Sequence, residues 1–140
     1  MSFSFPKHER LSSQKLIQKL YEQGHAFVKY PFRIIWLIDN GTEDTTISPR
    51  VLITVSKKKF KRANKRAYIR RRTKEAYRLN KQPLIDFAKE LKLPIVFSIN
   101  YLPSELMEYH EIEKGMIKML DKLRGQIMDL GVEKDSSSSI

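Results

Sequence analysis

The sequence contains no cysteine. That excludes disulfide staples and cysteine-ligated zinc, and it fits a reducing compartment. Glycine is scarce, with five in 140 residues, and no Gly-rich phosphate-cradling loop occurs. A Gly-x-Ser-x-Gly nucleophile elbow is absent as well. The longest apolar cluster, "FRIIWLI", is too short to cross a bilayer and is interrupted by Arg33. The first residues, "MSFSFPKHERL", hold no apolar run of signal-peptide length. These absences predict a soluble cytoplasmic protein with no membrane partner.

Acidic residues are almost missing from one stretch. Between Ser56 and Lys81 stand thirteen basic residues and one acidic residue, Glu75. Outside it, 14 basic residues face 15 acidic ones, so the net charge of +11 is a local feature. A concentrated positive field attracts a polyanion, whereas a dispersed one mainly keeps a protein in solution. Elsewhere, Glu43 and Asp44 fall in a loop and Asp86 and Glu90 on a short helix. Glu105, Glu108, Glu111 and Glu113 read as solvated surface of the last helix. A metal-dependent nuclease needs carboxylates gathered at ligand spacing, and none of these is so spaced. His8, His25 and His110 are isolated in sequence. The residues therefore offer no active site and favour binding.

The chain reads as one domain over residues 1–130 and a disordered tail over 131–140, where "EKDSSSSI" lacks core formers. After an irregular arm, Ser12 or Ser13 can cap a helix that runs to about Gln23, with Gly24 as its stop. "FRIIWLID" and "RVLITVS" read as strands, and the polar segment "NGTEDTTISP" between them as a hairpin loop. Residues 63–80 contain neither Gly nor Pro and read as a helix. At 100° per residue, Ile69, Thr73, Ala76 and Tyr77 share one side, while Arg70, Arg71, Lys74 and Arg78 share the other. Arg66 lies at the boundary. Ala63 and Ala67 lie among the cations and would let a partner approach the helix closely. "PLIDFAKELK" is a short helix, "PIVFSINYL" a buried strand, and Pro103 and Ser104 introduce a last helix that Gly131 ends. The fold class is α/β (α+β): a two-layer sandwich with a small mixed sheet and a basic crossover helix, in the order α-β-β-(β)-α-β-α.

Lys and Arg at this density neutralise phosphates and release counterions. Tyr21, Phe32, Trp36, Phe60 and Tyr68 are candidate platforms for unpaired bases. Phe32 and Trp36 alternate with Arg33 and Leu37 along a strand and read as core. Tyr68, on the polar part of the helix, reads as exposed. A membrane-surface role would need the helix's apolar side, which the strands require as core.

The order and wording of "ERLSSQKLIQKLYEQG", "YPFRIIWL", "VLITVSKKKFKRANKRAYIRRRTKEAYR" and "LPIVFSINY" resemble the protein subunit of bacterial ribonuclease P, over about residues 9 to 125. The family helix carries a signature of the form Arg-Asn-Arg-x-Lys-Arg-x-x-Arg-Glu. Arg66 stands at its first Arg, Arg70 and Arg71 at the Lys-Arg pair, and Lys74 and Glu75 at the closing Arg-Glu. Ala67 replaces the usual Asn and Tyr68 the second Arg. The resemblance implies a ribosomal-protein-like fold and a partner RNA that hydrolyses the phosphodiester with its own bound magnesium. That RNA removes the 5′ leader of precursor tRNA. It further implies RNA binding by Lys57, Lys58, Lys61, Arg62, Lys65, Arg66, Tyr68, Arg70, Arg71, Lys74 and Arg78. A leader cleft is implied at Arg10, Ile17, Tyr21 and Ile35. No organic cofactor, no metal of the chain's own and no obligate protein partner are expected. The competing readings are a general structured-RNA-binding or ribosome-associated protein, a carboxylate nuclease and a membrane-surface protein.

Overall fold

The computed structural model describes residues 5–40 and 48–138, with side chains described through 130. A 3-10 turn at Lys7–Glu9 leads into α1, Gln14–Gln23. Ser13 caps that helix, its hydroxyl accepting from the Leu16 N–H at 3.3 Å. Leu16 and Leu20, four residues apart, are its buried pair. Gly24 closes it, donating its N–H to the Leu20 carbonyl at 2.8 Å. A Cβ at position 24 would stand 2.4 Å from that carbonyl and 2.7 Å from an Ile35 methyl. Glycine is therefore what lets the end of α1 settle onto the sheet.

The strands are β1 (His25–Lys29), β2 (Phe32–Ile38), β3 (Arg50–Val55) and β4 (Ile95–Tyr101). The helices that follow α1 are α2 (Ala63–Asn80), α3 (Gln82–Leu91) and α4 (Tyr109–Ser138). Three strands precede the basic helix, the number the expected order allowed, but the additional one, β1, comes first and not third; its five residues, "HAFVK", carry too little apolar alternation to be read from sequence. α4 starts at Tyr109, not at Pro103. The Leu102 N–H is held by the Pro31 carbonyl at 2.9 Å, and the Tyr101 hydroxyl donates to the Glu105 carbonyl at 2.6 Å. These bonds keep the segment before α4 on the sheet end. α4 also runs through Gly131, the expected stop.

The sheet order is β1-β2-β4-β3. β3 and β4 are parallel, and the other pairs are antiparallel. The expected hairpin between β2 and β3 is thus corrected: β4 lies between them. The connecting residues 41–47 lie outside the described residues. The hairpin expectation failed because the partner of both strands comes some forty residues later in the chain.

One sheet face is covered by α2, α3 and α4. Phe32, Ile34, Trp36, Val51, Phe97 and Ile99 meet Ile69, Ala76, Tyr77, Leu84, Met116 and Leu123 there in one buried cluster. Each large apolar side chain buried this way contributes about 1.5–3 kcal/mol before conformational entropy is charged. The opposite face is covered only in part. There α1 buries Leu16 and Leu20 against Ile35 and Val96. The α+β architecture, with the basic helix as crossover between parallel strands, is the one expected.

Candidate nucleic-acid interface

α2 presents its four expected core residues, Ile69, Thr73, Ala76 and Tyr77, to the sheet. Its first turn has no side-chain cap. Instead, Arg66 reaches back and donates through Nη1 to the Phe60 carbonyl at 2.7 Å and the Lys61 carbonyl at 2.9 Å. The preceding turn is fixed by Ser56, whose hydroxyl accepts from the Lys58 and Lys59 N–H groups at 3.2 and 3.3 Å. Phe60 is buried behind it. This rigid entry carries Lys57, Lys58, Lys61, Arg62 and Lys65, all exposed, and continues into exposed Arg70 and Arg71. The positive end of the helix dipole lies among them.

The remaining cations of the stretch are engaged by the protein. The Arg72 guanidinium lies 5.1 Å from the Tyr68 ring centroid and 5.9 Å from that of Tyr109. Tyr68 is consequently half-buried against the core, not exposed on the polar face as expected. Its ring lies beside Arg72, one helical turn on, at the margin of the core. Lys74 lies 5.4 Å from the Phe5 ring centroid. Arg78 forms a two-bond pair with Glu75, at 2.6 and 3.2 Å. The hydrogen bond from Arg78 leads the causes that hold the Glu75 carboxyl below its ordinary value. Lys81 is buried and donates to the Glu9 carboxylate at 2.6 Å. Burial, with the Glu9 charge second, pushes the Tyr77 hydroxyl well above the ordinary tyrosine range.

Of the five candidate base platforms, Tyr21 alone is exposed, at 50%. Phe32, Trp36 and Phe60 are core, and the Trp36 indole N–H donates to Gln126 at 3.0 Å. Tyr21 and half-buried Ile17 stand on α1 above the partly open sheet face. Ile35 is under α1, buried with Leu16 and Leu20. Beside α1, the register aligns Val28, Arg33, Asn100 and Thr54 across all four strands. Asn100 donates its amide to the Thr54 hydroxyl at 2.8 Å. Sequence reasoning missed this row. Its signal was the polar residues at alternate positions of otherwise apolar strands. Arg10 is elsewhere. It forms a parallel bridge with Val51 at the outer edge of β3. Its guanidinium is bonded to the Phe5 carbonyl at 2.9 Å, which brings it beside α2 and not beside Tyr21.

Among the described residues, no three His, Asp or Glu side chains gather as a metal site. No helix among them is long and apolar enough to cross a membrane. The arrangement can hold a polyanion along α2 and an unpaired strand on the sheet face beside α1.

A family model described as Ribonuclease P matches residues 5–124. The ribonuclease P protein components of two Porphyromonas gingivalis strains are each 33% identical over 126 residues, which is 90% of this chain and 90% of theirs. The fold is similar to that of the Staphylococcus aureus RNase P protein, with a TM-score of 0.63 and 20% identity over 82% of this chain and 94% of that one. It is similar also to the RNase P protein from Thermotoga maritima, with a TM-score of 0.62 and 16% identity over 81% and 96%.

Proposed function

The chain belongs to the ribonuclease P family as a protein component, and from that premise we propose how its surfaces divide the work of tRNA 5′ maturation. The turn before α2 and the exposed half of α2 bind the catalytic RNA subunit. Tyr21, Ile17 and the Arg33–Asn100–Thr54 row hold the 5′ leader of precursor tRNA. The RNA subunit carries out the phosphodiester hydrolysis with magnesium that it binds itself. The working compartment is the cytoplasm, and no further protein is required. The observation that carries this reading is a pairing of features on one chain. Exposed cations converge on one helix entry, while the described carboxylates form no three-membered cluster. Such a surface lowers the repulsion between two polyanions, and so the magnesium they require.

The test is reconstitution of purified protein, the cognate RNA subunit and 5′-labelled precursor tRNA at limiting magnesium. Cleavage at the mature 5′ end is expected from RNA plus protein and not from protein alone. Cleavage by protein alone would make the chain a nuclease. Binding without stimulation would leave a general structured-RNA-binding module.

A further inference from the structure

Between α2 and the outer edge of β3 lies a cavity of about 490 Å³, within the range that binds small molecules. Its lining is mostly apolar, from Leu11, Val51, Leu52 and Ile53, and its rim carries Arg10, Arg70, Arg71 and Lys74. The α2 wall is opened by Ala67, whose methyl group stands among the long side chains of the basic helix. At this edge the Val51 carbonyl accepts from the Leu11 N–H at 2.9 Å. Ile53, two residues on, turns its backbone groups toward the same edge.

An apolar floor beneath a cationic rim selects a ligand with both characters. A bare phosphate gains nothing from the floor, and an uncharged apolar group gains nothing from the arginines. A nucleotide extruded from its stack has a flat base with apolar faces and a phosphate on either side. We propose that this cavity receives one unpaired base of the RNA subunit, with the flanking phosphates on Arg70 and Arg71. This rests on the reading of α2 as the docking surface for that RNA. The cavity shares Arg70 and Arg71 with that surface, whereas Tyr21 and α1 cover the opposite face of the sheet. The RNA subunit, and not the leader, is therefore the source of the base.

Ala67→Phe fills the cavity without changing charge, at an exposed helical position; circular dichroism checks that the fold is kept. The expected result is binding of the RNA subunit about tenfold weaker, the size of one lost base stack. The dependence of log affinity on log salt should keep its slope, because no phosphate contact is removed. The chain has no cysteine, so Ala67→Cys can carry a single photoreactive group. Its crosslinks are expected to concentrate on one unpaired nucleotide of the RNA subunit. Equal binding by Ala67→Phe and the parent, where the parent still stimulates cleavage, would overturn the cavity and leave the proposed function standing. Failure of the parent to bind the RNA subunit would overturn both. A reduced salt slope in Ala67→Phe would point to displaced arginines and overturn the base pocket. Crosslinks on the leader, on the chain's own N-terminus or scattered over many nucleotides would overturn it too.

Discussion

From Lys57 to Arg71 the cations of the basic stretch stand mostly in solvent, apart from Lys59 and Arg66, which hold backbone carbonyls at Leu102, Phe60 and Lys61. From Arg72 to Lys81 they are turned onto protein groups: two tyrosine rings, the Phe5 ring, Glu75 and Glu9. The two halves have similar sequence character and opposite uses. The N-terminal arm engages two of the second group, Lys74 and Lys81, while Tyr68, Tyr109 and Glu75 engage the others. Phe5 meets Tyr77 and Lys74 of α2 and Glu9 meets Lys81 at its end, while Arg10 and Leu11 lie on the edge of β3. A count of charges thus overstates the binding surface, and two of the cations withheld from a partner, Lys74 and Lys81, are held by a segment some seventy residues away.

The sharpest way to break that contrast is at the buried pair. Glu9→Ala removes the carboxylate from a pair whose two side chains are both buried. It should destabilise the fold by about 3–5 kcal/mol, as urea titration would read. A loss below about 1 kcal/mol would mean that the arm is not anchored there. The next effect is on RNA binding. Arg70→Ala should flatten the salt dependence by about one unit of slope. Arg78→Ala should change it distinctly less, because Glu75 already neutralises that guanidinium. Glu75→Gln runs the opposite way: binding to the RNA subunit should tighten and its salt slope steepen. If Arg70→Ala and Arg78→Ala change the slope equally, the division into outward and inward halves is wrong.

The smallest effect is on alkaline stability. Burial, its main cause, pushes Tyr101 up to about 12, and Tyr77 is raised further by burial and the Glu9 charge. Unfolded tyrosine titrates near 10. The folded values are the raised ones, so the stabilisation is complete below pH of about 10 and is lost as pH rises toward 12. Denaturation midpoints should be flat below that window and fall within it. Tyr77→Phe should shrink the fall. Its hydroxyl is buried with no hydrogen-bond partner among the described residues, so the variant should cost little at neutral pH.

Much of the local structure was legible because it follows from periodicity and caps. Ser13 and Gly24 bound α1 as expected, and the span of α2 and its four buried residues follow from the spacing of apolar positions. The strands β2, β3 and β4 were visible as apolar runs. Their neighbours were not, because pairing joins residues far apart in sequence. That is why a hairpin was expected where β4 intervenes. In the candidate interface, the exposed cations at Lys57, Lys58, Lys61, Arg62, Lys65, Arg70 and Arg71 stand where the sequence put them. Tyr68 is half-buried and not exposed, Arg10 lies apart from Tyr21, and Lys74 and Arg78 keep the outer side of α2 but meet Phe5 and Glu75. The Arg33–Asn100–Thr54 row needed the register of three strands before it could be seen as one surface.

The place of β4 between β2 and β3 also orders the birth of the molecule. A chain emerging residue by residue exposes β1, β2 and β3 and then the whole of α2 before Ile95–Tyr101 exists to join them. Until then β3 has no partner strand, and the apolar side of α2 has only part of its platform. The sheet closes late, on contacts of long sequence separation, which are slow to form. During that interval the most positively charged segment of the chain is displayed without its fold, in a cell crowded with nucleic acid.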